Sequence, residues 1–129
     1  MLAALAVVLG TPLLTRLRPA WLCRVLSLAI RRAGERSRVD EAVVTRVNRA
    51  IALAARFQHQ TCLTRGVSRF IVLRRAGVPV DLVFGVGPEG RSYAGHCWLE
   101  LHDAPYLEPV DPRGIFPEIM RVPTAAGLG

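Results

Sequence analysis

Apolar positions along the first two thirds of the chain recur every three to four residues, the spacing of a helix with one buried face. One such period runs over 19–33: Pro19 suits a first turn, Arg31 and Arg32 suit the negative end of the helix dipole, and Gly34 can stop it. A second runs over 41–57. Asp40 can cap it, Val43, Val47, Ile51 and Ala54 or Ala55 form the stripe, and Arg46, Arg49 and Arg56 face solvent. A third covers 62–76, with Thr61 as cap, Leu63, Val67, Phe70 and Ile71 along one side, and Gly77 then Pro79 as the stop. Cys62 therefore falls in the first turn of that helix.

After Gly77 the period drops to two and β-branched and aromatic residues take over. This predicts a strand over 80–86, a turn at Gly87-Pro88-Glu89-Gly90, a strand over 94–102, a turn at Asp103-Ala104 and a short strand from Tyr106. From Pro112 onward, with Pro117 and Pro123 in the way, the chain reads as a tail of little regular structure that wraps the sheet or frays. Helices followed by a hairpin-linked antiparallel sheet make an α+β fold. With 129 residues, no internal repeat and no low-complexity linker, a single domain over 1–129 is expected: a helical N-terminal part (1–57), a core carrying the chemistry (58–111) and the tail (112–129).

The opening run from Met1 to Thr15 is apolar and without charged side chains. A signal peptide needs a basic start, and the first Arg here is Arg16; a membrane span needs about 20 apolar residues, and Pro12 and Arg16 interrupt this one. The expectation is a helix docked in the core or on a partner. Membrane-surface contact through residues 1–15 is the second reading, because Arg16, Arg18 and Trp21 suit a headgroup boundary. Seventeen basic residues, all Arg, against ten acidic ones give a net charge of +7. That favours an acidic partner, a membrane surface or nucleic acid, and says nothing about fold. Three cysteines without a CxxC pair do not make a disulfide framework and fit a reducing cytoplasm.

The groups that do chemistry concentrate in His59-Gln60-Thr61-Cys62, in Gly95-His96-Cys97-Trp98-Leu99-Glu100 and in Tyr106-Leu107-Glu108-Pro109-Val110-Asp111. Unpaired backbone N–H groups and the dipole at a helix N-terminus favour thiolate over thiol, which makes Cys62 the candidate nucleophile. His96 at the start of a strand is the candidate base, and an acid on the next strand can hold its imidazole in one tautomer. Strand alternation sends Cys97 to the opposite face, into the core, and puts Trp98 and Glu100 on the face of His96, where Trp98 can wall the site from water. Cys23, beside Trp21 and Leu22, needs no function, and His59 and His102 read as surface polar groups.

A helix opening Cys62-Leu63-Thr64-Arg65 and running to Leu73-Arg74-Arg75-Ala76-Gly77-Val78-Pro79, then a strand, then Gly95-His96-Cys97-Trp98-Leu99-Glu100, resembles the lasso-peptide leader peptidases of the transglutaminase-like, papain-like cysteine protease superfamily. The similarity spans about 61–111; the N-terminal helices agree only in character. It implies a transglutaminase-like core and a cofactor-free peptidase of the bacterial cytoplasm. Such a peptidase removes the leader from a ribosomally made precursor, so that a separate ATP-dependent cyclase can close a macrolactam ring on the freed amine. The family's nucleophile falls on Cys62 and its base on His96. Its leader is usually presented by a small recognition-element protein, here expected as a separate partner, and is commonly recognised near a Thr close to the cut. For the third member the chain offers Glu108 and Asp111. A two-residue loop at Asp103-Ala104 sets Asp111 opposite His96, whereas a one-residue bulge brings Glu108 there instead. The segment Tyr106-Leu107-Glu108 follows the hairpin as the family's acid does. By analogy with papain-like sites, Gln60 is a candidate oxyanion donor beside the Cys62 N–H. The same constellation can also transfer the acyl group to an amine.

Two rivals come from other classes. His59, Cys62, His96 and Cys97 could be written as zinc ligands, but adjacent strand residues point to opposite faces, so no metal is expected. A non-enzymatic basic module binding nucleic acid or an acidic partner is the alternative function. Against nucleic acid, the Arg residues are scattered, aromatics are few, and no helix-turn-helix or stacking platform is visible.

Overall fold

A computed structural model describes Leu9 and residues 41–122. The helix expected over 19–33, and the run 1–15 apart from Leu9, lie outside the described residues. Helix α1 (Glu41–Ala54) buries Val47, Ala50, Ile51 and Ala54. The stripe thus runs through Ala54 and leaves Ala55 in solvent. The helix stops before the expected 57 because its end tightens into shorter-range bonds, Arg56 N–H to the Leu53 carbonyl and Phe57 N–H to that of Ala54. Phe57, off the stripe, is 80% exposed.

Helix α2 (Cys62–Arg75) begins where its sequence says and ends one residue before the expected 76, with Ala76 as its C-cap. The Thr61 hydroxyl accepts the Thr64 N–H at 3.2 Å, so Cys62 is the first helical residue. At the other end Gly77 takes φ 85°, its N–H bonds the Arg74 carbonyl, and the Val78 N–H reaches back to Leu73, the Schellman pattern that left-handed glycine permits. Between these caps α2 packs Val67, Phe70, Ile71 and Leu73 into the main core against the sheet, while Val72 meets the small cluster on α1. Burying each large apolar side chain contributes roughly 1.5–3 kcal/mol, so this one helix anchors the domain.

The sheet is four-stranded and antiparallel, in the order β3-β2-β1-β4, built from β1 (Val80–Glu89), β2 (Ser92–Leu101), β3 (Ala104–Tyr106) and β4 (Glu118–Val122). Strands 1 and 2 run further than expected. Gly87, Pro88 and Glu89 continue β1 opposite Ala94, Tyr93 and Ser92, and only Gly90 and Arg91 turn the chain. Pro88 is tolerated because β4 pairs with β1 only as far as Gly85, leaving no partner in need of its N–H. The next turn is His102-Asp103, one residue earlier than expected, with φ 52° and 62° at the two positions, as a tight two-residue hairpin requires.

The segment expected as an irregular tail carries a strand. Residues 118–122 form β4 on the free edge of β1, pairing Leu82 with Val122 and Phe84 with Met120. Pro117 precedes this strand instead of interrupting it. Arg121 pins it: its guanidinium reaches Asp81 on β1 at 3.0 Å, Glu100 on β2 at 2.8 Å and Glu118 at 2.8 Å. These hydrogen bonds push the Arg121 pKa up and draw that of Glu118 below the usual carboxylate range.

Candidate active site

The N-terminus of α2 and the middle of β2 meet at one cleft of about 280 Å³, whose walls include Cys62, Arg65, Arg69, His96, Trp98 and Glu108. Cys62 is partly exposed, with its sulfur 4.0 Å from the carbonyl oxygen of Gly95, the residue before His96. Gly66, one turn further along α2, allows this approach. A methyl group there would stand 2.8 Å from the Cys97 sulfur, inside contact distance.

Glu108 is the carboxylate the structure brings to His96: its Oε2 lies 3.3 Å from Nε2. Extending the β2–β3 ladder past Leu99↔Tyr106 would set Glu108 opposite Cys97, on the core face. Instead Leu107 adopts φ 61°, a conformation costing a non-glycine residue roughly 1–2 kcal/mol, which ends the ladder and turns Glu108 to the imidazole. Asp111 is not brought there. Its carboxylate is bound by the Arg113 guanidinium at 2.7 Å and by the Arg113 N–H at 3.0 Å, out in solvent. Those bonds hold its pKa down at about 2. The expected opposition of Asp111 and His96 fails because the turn sits one residue earlier and Pro109 to Pro112 leave the sheet.

The imidazole is held by rings as well as by its acid. Phe116 packs on it at 5.0 Å and Trp98 lies nearly parallel at 5.9 Å. Trp98 is 1% exposed and donates its indole N–H to Glu100 at 3.1 Å; Glu100 in turn binds Arg121. The Trp98 wall expected from alternation is therefore locked from behind by a buried carboxylate. Phe116 was illegible in the sequence, since it lay in the supposed tail. It arrives because the Phe116 N–H and the Ile115 N–H both bond the Pro112 carbonyl, closing one turn, and because Gly85, which pairs with His96, has no side chain to obstruct it.

Cys97 is buried in the main core, and its pKa is raised far above that of an ordinary thiol, chiefly by burial. Gln60 does not line the Cys62–His96 cleft. It sits in an adjoining groove with Asn48 and His59, on the other side of Arg65 and Arg69, so it is not positioned as the oxyanion donor expected of it. With the Thr64 N–H held by the Thr61 hydroxyl and the Arg65 N–H by the Thr61 carbonyl, the N–H groups of Cys62 and Leu63 are the ones left at the helix start to meet an oxyanion. Among the described residues no group of three or more His, Cys, Asp or Glu side chains is arranged to hold a metal ion, and no helix is long and apolar enough to cross a membrane.

A thiol at a helix N-terminus, beside a strand histidine that is held by a carboxylate, is an arrangement suited to acyl transfer through sulfur. The family model described as the transglutaminase-like superfamily matches residues 5–121, and the chain belongs to that superfamily, which includes cysteine peptidases and transglutaminases. No curated protein and no solved structure matches.

Proposed function

We propose that this protein is a cysteine peptidase that removes the leader from a ribosomally synthesised lasso-peptide precursor. The observation that carries the catalytic part is the shared cleft of Cys62, His96 and Glu108, with Glu108 on Nε2. The leader-peptidase part rests on the resemblance of 61–111 to that family. With Nε2–H donated to Glu108, Nδ1 is the nitrogen left to take the Cys62 proton. The sulfur adds to the scissile carbonyl, the backbone N–H groups of Cys62 and Leu63 stabilise the oxyanion, and His96 returns the proton to the leaving amine as the C–N bond breaks. Water, deprotonated by His96, then opens the thioester; the leader leaves as a carboxylate and the thiol is restored. The freed core amine is the nucleophile that a macrolactam-forming cyclase needs, and a separate leader-recognition protein presents the substrate.

Mass spectrometry of a leader-bearing precursor incubated with the protein and a recognition-element protein tests this. Wild type should cut, and Cys62→Ala and His96→Ala, folded by circular dichroism, should not. Equal cleavage by wild type and Cys62→Ala, or no cleavage by any form, overturns the peptidase reading and leaves the basic binding module.

A further inference from the structure

Cys62, Arg65, Gly66 and Arg69 stand at i, i+3, i+4 and i+7, so α2 turns one face, carrying a thiol and two guanidinium groups, to the cleft. Arg65 and Arg69 also line the adjoining groove, which makes them the ridge shared by both depressions. Among the described residues neither forms an ion pair. Arg69 spends only its Nε, on Asn48 Oδ1 at 3.1 Å, and Glu108, the carboxylate in the cleft, is bound to His96. Burial and the neighbouring Arg65 charge pull the Arg69 pKa below its ordinary value; the Glu108 charge offsets this only in part, and an incoming anion would offset it further. On the groove side both the Oε1 and the Nε2 of Gln60 are buried with no hydrogen-bond partner, a free acceptor and donor side by side. Buried polar groups seldom stay unpaired, and a peptide bond supplies the matching pair.

We infer that Arg65, Arg69 and Gln60 form a substrate subsite for an acidic stretch of peptide, the two guanidinium groups taking a side-chain carboxylate and the Gln60 amide pairing with the backbone next to it. This deepens the peptidase reading by naming the substrate class, and rests on it for the identity of the ligand. The subsite runs from the nucleophile along α2 into the groove, so the acidic residue lies a few positions from the scissile bond. The net charge of +7 assists approach, but the two arginines on the ridge, neither in an ion pair among the described residues, provide the local recognition.

The test uses iodoacetate and iodoacetamide, nearly equal in size and differing in charge, with alkylation read at Cys62 by peptide mapping. The ratio of their rates should fall about three-fold or more in Arg65→Gln and in Arg69→Gln, and stay at the wild-type value in Arg91→Gln, which removes the same charge at the distant β1–β2 turn. Arg65 is exposed, so its variant tests the idea even if Arg69→Gln loosens α1. In the cleavage assay Arg65→Gln and Gln60→Leu should raise KM with kcat little changed, and replacing one leader Glu or Asp by Gln or Asn should do the same in wild type but not in Arg65→Gln. A ratio that falls equally in all three Arg variants, or in none, overturns the subsite while leaving Cys62-dependent cleavage intact. Failure of Cys62→Ala to abolish cleavage instead overturns the peptidase reading, whatever the ratio does.

Discussion

Replacing Gly85 by Ala puts a methyl group where other atoms already stand: 2.6 Å from the Phe116 carbonyl oxygen, 2.9 Å from Phe116 Cβ and 2.9 Å from the Trp98 ring. The nearest atom is backbone, in a segment tied down by the Pro112 turn and by the bond from the Val86 N–H to the Pro117 carbonyl, so no flexible tip can move aside. Overpacking of this kind costs about 1–3 kcal/mol, and a rigid neighbour argues for the upper end. Relief of glycine's backbone entropy returns roughly 0.5–1 kcal/mol, leaving a net loss of about 2 kcal/mol. With a urea slope of about 1–2 kcal/mol per molar, the unfolding midpoint should drop by about 1–2 M. Gly114→Ala is the control, because nothing lies within 4 Å of the added carbon, and it should change stability by less than about 0.5 kcal/mol. The perturbation also reaches the chemistry. Phe116 is the ring at 5.0 Å from His96, and displacing it frees the imidazole, so kcat should fall in Gly85→Ala even without denaturant. If Gly85→Ala unfolds at the same urea concentration as Gly114→Ala, the account of how Phe116 is seated is wrong.

Glu108→Ala should lower kcat by about a hundred-fold or more while Asp111→Ala leaves it at the wild-type value, since only Glu108 touches the imidazole; equal losses in a cleavage assay would count against this assignment. Iodoacetamide at neutral pH should modify Cys62 and leave Cys97 unmodified until the protein unfolds, because burial holds Cys97 as the thiol; peptide mapping reads the two sites. Arg121→Gln strands the Glu100 carboxylate, 4% exposed, and should cost about 3 kcal/mol in urea unfolding while loosening the Trp98 wall. The Glu118 carboxyl sits below its ordinary value when folded because Arg121 stabilises the ionised form. Its contribution is therefore present above about pH 4 and lost as pH falls through the folded value, so the melting temperature should decline on acidification less steeply in Arg121→Gln than in wild type.

Much of the site is local chemistry, and local chemistry is what a sequence carries. Thr61 before Cys62 and Gly77 after Ala76 fix both ends of α2 through caps made by neighbouring residues, so the position of the thiol at a helix N-terminus follows from the order of residues alone. Strand alternation likewise sorted Cys97 to the core and Trp98 and Glu100 to the face of His96. Partners distant in the chain were beyond such rules. Strand β4 exists because β1 offers a free edge and because Arg121 finds Asp81 and Glu100, and neither fact is visible in the five residues themselves. The choice of Glu108 over Asp111 turned on a one-residue shift of the hairpin and a left-handed Leu107, a conformation that its side chain does not favour and that only the surrounding packing sustains. Gly85 reads in the sequence as a weak point in a strand; in the fold its missing side chain is the space that seats Phe116 against the histidine.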